Sequence, residues 1–274
     1  MRISLGVGFI LALMCGAPTE ARGQRRVLVP DDSIGAMVGL ESRLLWRDIT
    51  LADALGLRSG VSFPLPASRL PIQLELTGRT ALAKRSSRAF SDQYSASAHY
   101  QWVLANRPHP RSLVFGYTEY WNPTVRPVFP SISANTRELS ASGLIDIGIE
   151  RLGIRTVHFQ LDAARDISRE NATWLRGAAN ASLGTSIQGA RSDYSLAAIL
   201  ELALSASNLR GPLLPAPRPA FGFHSADAQL ALQFRKRMAS VAATTDFLFG
   251  TAVRAKRLGA NMGWVGIREL LLLP

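Results

Sequence analysis

Four histidines are the first candidates for chemistry in this sequence: His99, His109, His158 and His224. His158, Asp162 and one of the many serines could form a catalytic triad for the hydrolysis of a lipid ester, with the histidine as general base. The sequence contains neither a GxSxG elbow nor an HExxH motif, and its glycines do not form a phosphate-binding loop. Its histidine and acidic residues do not have the spacing of a metal site. We therefore predict that the protein is not an enzyme and has no catalytic residue, metal or cofactor.

The elements that would have to position such residues have a period of two. In the stretch LPIQLELTGRTAL, from Leu70 to Leu82, apolar residues alternate with polar ones. This period predicts a β-strand with one apolar and one polar face. In a soluble protein the apolar face would be inside, whereas in a membrane barrel it would be outside. Leu70, Ile72, Leu74 and Leu76 form the apolar face, and Gln73, Glu75, Thr77 and Arg79 form the polar face.

The same alternation recurs about a dozen times from Ile34 onward, with no convincing helical stretch between the segments. A tilted strand that crosses a bilayer needs about 9–11 residues, and these segments reach or exceed that length. Strands of soluble proteins average about 5–6 residues. We therefore predict an all-β fold, a closed antiparallel up-and-down transmembrane β-barrel of about 12 strands. The predicted strands are residues 34–47, 54–63, 70–82, 92–104, 112–121, 137–149, 153–165, 171–184, 193–205, 222–235, 237–249 and 258–270.

Two other readings of the same pattern stay open. The first is a soluble exported all-β binding protein, either a sandwich or lipocalin-like, in which the apolar face of each strand would lie inside. A barrel-embedded lipid hydrolase would use His158.

The connections between the predicted strands differ in length in the way expected of a barrel. If the N-terminus starts on the periplasmic side, the even-numbered connections are short periplasmic turns and the odd-numbered ones are longer extracellular loops. The two longest links, 122–136 and 206–220, are odd-numbered and rich in proline, as loops outside a sheet should be. The even connections include 150–153 and a sharp reversal at Arg235–Arg237.

The polar face of the predicted strands indicates a hydrated lumen, in which charges of both signs can pair while they remain in contact with water. Four arginines, at positions 43, 58, 79 and 155, would give a pore a preference for anions. The predicted lumen-lining residues are Glu41, Arg43, Arg58, Glu75, Arg79, His99, Asp146, Arg155, His158, Asp162, Glu201 and Asp227.

Aromatic residues cluster near both ends of the predicted strands. Rings at the two membrane–water interfaces are typical of outer-membrane barrels. The predicted interface aromatics are Trp46, Tyr94, Trp102, Trp121, Trp174 and Phe234.

The N-terminus predicts export. Arg2 precedes an apolar run from Ile3 to Ala17, and Ala21-Arg22-Gly23 provides small residues at the spacing of a signal-peptidase site. The run is shorter than the roughly 20 apolar residues of a membrane-spanning helix. We predict a signal peptide over residues 1–23, a short periplasmic N-terminal segment over 24–33 and the barrel over 34–270. The cysteine at position 15 would leave with the signal, and the protein would lie in the bacterial outer membrane.

The chain of 274 residues carries a formal net charge of +11. A basic balance can indicate nucleic-acid binding, but here the positive residues are scattered singly, with one tight cluster at Arg235–Arg237. We therefore predict the lipid bilayer as partner and no nucleic acid. The predicted function is the passive passage of small solutes through a small channel, or a structural or surface role. The sequence does not determine an oligomeric state.

Two segments carry a resemblance to a known group of proteins. SRLLWRDITLADALGLRSGVSF, from Ser42 to Phe63, contains a strand that ends in Trp46-Arg47, a short loop and a returning strand. LVFGYTEYWNP, residues 113–123, and the stretch over 136–184 add an aromatic strand, a long loop, a strand that opens with a glutamate and an acidic hairpin tip. In this order they resemble a poorly characterised, porin-like group of bacterial outer-membrane β-barrel proteins. The resemblance implies a barrel and no activity.

Overall fold

The structure is a computed structural model, and it describes most of the chain from Ser33 onward. The predicted signal peptide and almost all of the short segment after it lie outside the described residues. The described ranges are 33–46, 49–52, 54–65, 70–82, 92–105, 111–122, 135–148, 154–168, 171–189, 193–208, 220–238, 241–256 and 260–273.

Twelve strands form one closed barrel, and every neighbouring pair is antiparallel. Consecutive strands pair with one another, and the first barrel strand closes the ring by pairing with the last. The predicted all-β, closed, up-and-down barrel is therefore confirmed. The barrel strands are β1 (Ile34–Glu41), β4 (Gly56–Pro64), β5 (Ile72–Ala81), β6 (Asp92–Ala105), β7 (Arg111–Trp121), β8 (Asn135–Gly148), β9 (Ile154–Asp166), β10 (Thr173–Gln188), β11 (Asp193–Ser207), β12 (Gly222–Met238), β13 (Val241–Arg254) and β14 (Met262–Leu273).

A small hairpin interrupts the first predicted strand. Barrel pairing ends at Glu41, the chain bends at Ser42 and Arg43, and β2 (Leu44–Trp46) then pairs with β3 (Ile49–Ala52) in a separate two-stranded sheet. The single strand predicted over 34–47 is therefore wrong beyond Glu41. The sequence does not reveal the bend, because the apolar segment Leu44–Trp46 follows β1 closely and is itself a short strand.

The two faces of the wall have opposite polarity, with the apolar face outside. In β5, Leu76 is 48% exposed, whereas Glu75 and Arg79 are 5% and 3% exposed. The same arrangement recurs in β11. Leu202 and Leu204 are apolar, point outward and are exposed, whereas the residue between them points inward and is buried. A soluble sandwich or lipocalin buries its apolar parity, so the arrangement here is the reverse of theirs.

The two ends of the barrel differ. The end that holds the termini of the wall, at Ile34 and Leu273, also has the shorter connections, among them 189–192 and 239–240. We call it the turn end, and we call the opposite end, where 122–134 and 208–221 connect the strands, the loop end. The described part of the chain contains no helix long and apolar enough to cross a membrane.

The basic run Arg235–Arg237 lies inside β12 and is not the chain reversal predicted from the sequence. β12 continues to Met238, and Arg237 pairs with Asp193 of β11 and with Ala242 of β13. The strand continues because both of its neighbours extend far enough to pair with these residues. The reversal falls between Met238 and Val241.

Gly250 of β13 is a position where a side chain would collide with the barrel interior. A Cβ atom there would lie 1.9 Å from Cζ2 of Trp264, which is buried against Ala252 and Met262. We expect Gly250→Ala to lower the free energy of unfolding by about 1–3 kcal/mol, because the indole must leave its packed position. Urea unfolding of the refolded protein would measure this change.

The matched control is Gly177→Ala, because no heavy atom lies within 4 Å of the position its Cβ would take. This variant should unfold like the parent. Equal stability of the two variants would contradict the packing of Trp264 over Gly250.

Candidate lumenal site

Ten of the predicted lumen-lining residues occupy the alternate positions of their strands that face the barrel interior. We call these positions the inward parity and the positions between them the outward parity. The pairing of neighbouring strands brings these residues side by side on one continuous inner surface. For example, Glu75 lies opposite Ser62, and Asp146 lies opposite His158. Arg43 follows the end of β1 by two residues and is partly buried. The ten residues are Glu41, Arg58, Glu75, Arg79, His99, Asp146, His158, Asp162, Glu201 and Asp227.

Arg155 lies at an irregularity of the wall. Thr156 pairs with Ser182 and Ile154 pairs with Leu183, so Arg155 is the extra residue where the register of β9 and β10 shifts. Its side chain lies outside the described part, so its place in the lumen stays a prediction. The sequence pattern could not show the bulge, since a bulge is defined by the partner strand.

The most buried ionic group in the wall is one that sequence analysis missed. Arg176 of β10 is 1% exposed and lies between two carboxylates of the next two strands. Its Nη2 is 2.5 Å from Oε1 of Glu201 and 3.1 Å from Oδ2 of Asp227. We call these three residues the Arg176 cluster. A signal was present, because Arg176 and Asn180 share a parity in an otherwise small and apolar strand.

A second polar group, which we call the Arg58 cluster, links β1, β4, β5 and β6. Arg58 lies directly opposite Arg79 in the β4–β5 register. Nη1 of Arg58 is 3.7 Å from Oε1 of Glu41, and Nη1 of Arg79 donates a hydrogen bond of 2.6 Å to Oε1 of Gln93. The carboxylate and the amide oxygen reduce the repulsion between the two guanidinium groups.

The Arg58 cluster continues across β1 to an ion pair on β13 and β14. Arg268 donates from Nε to Oδ2 of Asp246 over 2.9 Å, and its Nη2 forms a salt bridge with the same carboxylate. Gln233 donates a further hydrogen bond of 2.9 Å to Asp246. Gly39 pairs with Arg58 on one side and with Arg268 on the other, and a Cβ atom at Gly39 would lie 3.5 Å from Cβ of Arg268.

The histidines are dispersed among different partners. His158 hydrogen bonds to Asp146 of β8, and the amide of Gln160 donates to Asp162 over 2.8 Å. His158 and Asp162 are therefore not assembled as the catalytic pair considered from the sequence. His99 lies 3.5 Å from Glu75, and His109 lies outside the described residues.

One serine–histidine pair was not anticipated. Oγ of Ser207 and Nδ1 of His224 are 2.6 Å apart, at a point where the β11–β12 register shifts by one residue. Both side chains are fully buried, so Ser207 is closed to a lipid ester in this state. Within the described ranges, no three histidine, cysteine or acidic side chains are gathered as in a metal site.

The predicted interface aromatics fall into two groups and one exception. Tyr94 and Trp121 are register partners with exposed rings at the loop end, whereas Trp102 and Phe234 are exposed at the turn end. Trp174 instead has the inward parity, and it is 8% exposed against Ala164 and Ala172. The prediction that Trp174 faces the interface is therefore wrong. The side chain of Trp46 lies outside the described part.

A groove of about 910 Å³ extends along the wall from β6 to β13. Most of the residues that line it occupy outward positions. They belong to two neighbouring rows, where a row is a series of register partners on successive strands. One row includes Leu113, Gly143 and Leu161, which are register partners on β7, β8 and β9. The groove is therefore part of the apolar outer surface.

Comparisons with known proteins found matches among solved structures only. No protein-family model matches this chain, and no curated protein sequence matches it significantly. An outer membrane channel from Pseudomonas putida F1 superposes with a TM-score of 0.50 at 9% identity, over 93% of this chain and 100% of the channel. LpxR from Salmonella typhimurium has a TM-score of 0.46 at 12% identity, over 87% of this chain and 99% of LpxR. The beta domain of the Bordetella autotransporter BrkA has a TM-score of 0.49 at 9% identity, over 88% and 97%.

Proposed function

We propose that the protein is a bacterial outer-membrane β-barrel that passes small solutes through a polar lumen, and that its own side chains hold this lumen closed at rest. The observation that carries the proposal is the burial of the inward charges. Arg58, Arg79, Arg176 and Asp246 are all less than 4% exposed because they pack against polar partners from neighbouring strands. An open pore would leave such groups in contact with water.

The outer surface supports the membrane location. Leucine, isoleucine or phenylalanine side chains are exposed at outward positions of most of the barrel strands, for example Leu161 and Phe247. Exposed apolar patches of this extent are not stable in water, but they match a bilayer interior. By the usual orientation of such barrels, the turn end faces the periplasm and the loop end faces outward.

The inward charges favour cations, which revises the anion preference expected from four arginines. Arg58 is balanced by Glu41, and further carboxylates join the lumen from β8, β9 and β12. A lumen with excess carboxylate attracts cations. The inward carboxylates of the described strands are Glu41, Glu75, Glu138, Asp146, Asp162, Asp166, Asp193, Glu201, Asp227 and Asp246, and the inward guanidinium groups are Arg58, Arg79, Arg176, Arg235, Arg237, Arg254 and Arg268.

Single-channel recording of the full chain in planar bilayers under a KCl gradient tests this proposal. We expect a largely closed channel whose openings reverse at a potential that favours K⁺. Asp146→Asn should lower the K⁺ to Cl⁻ permeability ratio, because this carboxylate is partly accessible from the lumen.

The matched control is Glu269→Gln, which removes a carboxylate from the outer face near the same end of the barrel. It should leave the ratio unchanged. A Cl⁻ preference would contradict the charge argument, and a folded barrel that never conducts would indicate a purely structural or surface role.

We assign no hydrolytic activity. The pair Ser207 and His224 is the geometry that comes nearest to a nucleophile with its base, and its burial is the reason that solute passage is the preferred function.

A further inference from the structure

The basic run of β12 is divided between the two faces of the wall. Since side chains alternate along a strand, Lys236 has the outward parity, whereas Arg235 and Arg237 have the inward parity at the turn end. What looks like one basic cluster in the sequence is therefore a single outward cation and two arginines at the mouth of the lumen.

Lys236 has an aromatic neighbour on the outer face. It lies directly opposite Tyr194 in the β11–β12 register, and its Nζ lies 5.6 Å from the centre of the tyrosine ring. The Tyr194 and Phe234 rings are 6.2 Å apart, with an angle of 32° between their planes. Both rings are exposed, as is Leu196 beside them. An ammonium over a ring face is held by cation–π attraction and still has donors for a second partner.

This group lies at the level expected for lipid headgroups. Tyrosine is enriched at the membrane–water interface, because its ring is apolar and its hydroxyl is polar. A lysine near the end of a spanning segment directs its ammonium toward the headgroups. Toward the loop end, the outward parity continues with Leu200 and Leu202, which are apolar.

We propose that Lys236, Tyr194 and Phe234 form a binding site for the headgroup of an anionic phospholipid in the leaflet at the turn end. The ammonium of Lys236 donates to phosphate oxygens, and the two rings pack beside the glycerol and the first part of the acyl chains. The occupant is negatively charged because the outward charged side chain on this stretch of β11 and β12 is a cation, whereas the carboxylate of Glu269 lies two strands away from Phe234. The site rests on the proposed membrane location, but it does not depend on conduction.

Native mass spectrometry of the full chain in detergent, with phosphatidylglycerol and phosphatidylcholine added in equal amounts, tests the site. We expect the first bound lipid to be mainly phosphatidylglycerol. Lys236→Gln should reduce this preference about fivefold, the ratio that corresponds to the contribution of one basic residue at an anionic surface. Tyr194→Leu should also reduce it, and Tyr194→Phe should retain most of it, because phenylalanine keeps the ring face.

Lys256→Gln is the matched control, since Lys256 is the other lysine in the described ranges and is exposed at the loop end. It should leave the preference unchanged. An equal loss in both lysine variants would show attraction by net charge and would overturn the site, as would an unchanged preference in Lys236→Gln.

The heat-modifiable gel mobility of each variant separates loss of the site from loss of the barrel. A shift on boiling that matches the parent shows that the barrel is folded, so a lost lipid preference then concerns the site alone. If the parent chain shows no such shift and stays soluble without detergent, the membrane location itself is wrong.

Discussion

Leu202→Arg is expected to lower the free energy of unfolding from lipid vesicles by about 2–4 kcal/mol, the cost of an arginine on the lipid face near the bilayer midplane. Leu202 is 55% exposed on the outward parity, halfway along β11. In a soluble protein, the same exchange of an exposed leucine for arginine would be neutral or favourable. Urea titration of tryptophan fluorescence in vesicles would measure the difference.

The control for this variant is Ile187→Arg. Ile187 is 68% exposed on the outward parity of the neighbouring β10, at the turn end. Near the interface the cost of an arginine falls to about 0–1 kcal/mol. A cost that depends on depth would establish which side of the wall faces lipid. Equal and small effects at both positions would instead favour a soluble barrel.

Arg176→Ala is expected to lower the free energy of unfolding by about 3–5 kcal/mol, because it leaves the carboxylates of Glu201 and Asp227 buried without their shared cation. The same variant should open more often in single-channel recording, since the guanidinium no longer ties β10 to β11 and β12. Urea unfolding and the open probability are the two readouts.

A triple variant distinguishes charge from packing in this cluster. Arg176→Met combined with Glu201→Gln and Asp227→Asn removes all three charges and keeps similar side-chain volumes, so most of the stability should return. If Arg176→Ala unfolds like the parent, the Arg176 cluster does not hold the lumen closed. If the triple variant is as unstable as Arg176→Ala, the loss comes from packing.

The positions of the strands could be predicted closely because the signal for them is local. In the stretch Leu70–Leu82 the period of two assigns each side chain to one face of the strand, and the pairing with neighbouring strands is not needed for this. The errors in the predicted strands occur where the sequence pattern does not show which strand a segment pairs with. β2 is a strand that closely follows β1 but pairs with β3, and Arg235–Arg237 resembles a turn but has partners on both sides.

The inward row could be predicted only where the register is regular. Glu75 and Arg79 share the polar parity of a strand whose pairing has no shift. Arg155 is predicted for the same row, but it is the extra residue of the bulge opposite Ser182, where alternation no longer fixes the face. Trp174 was assigned to the interface from its residue type, although it has the parity of Arg176 in a strand where small residues occupy both faces.

The sequence by itself determined the fold class, the approximate strands and the polarity of the two faces, because all three follow from alternation along a single strand. Only the tertiary structure decided which charges meet. Glu201 and Asp227 lie 25 and 51 residues from Arg176, and they reach it through the registers of β10 with β11 and of β11 with β12. Register is set between strands by hydrogen bonds and bulges, and a shift by one residue exchanges the faces. The closed lumen and the headgroup site at Lys236 that we propose both depend on this pairing between strands, which no single stretch of the chain contains.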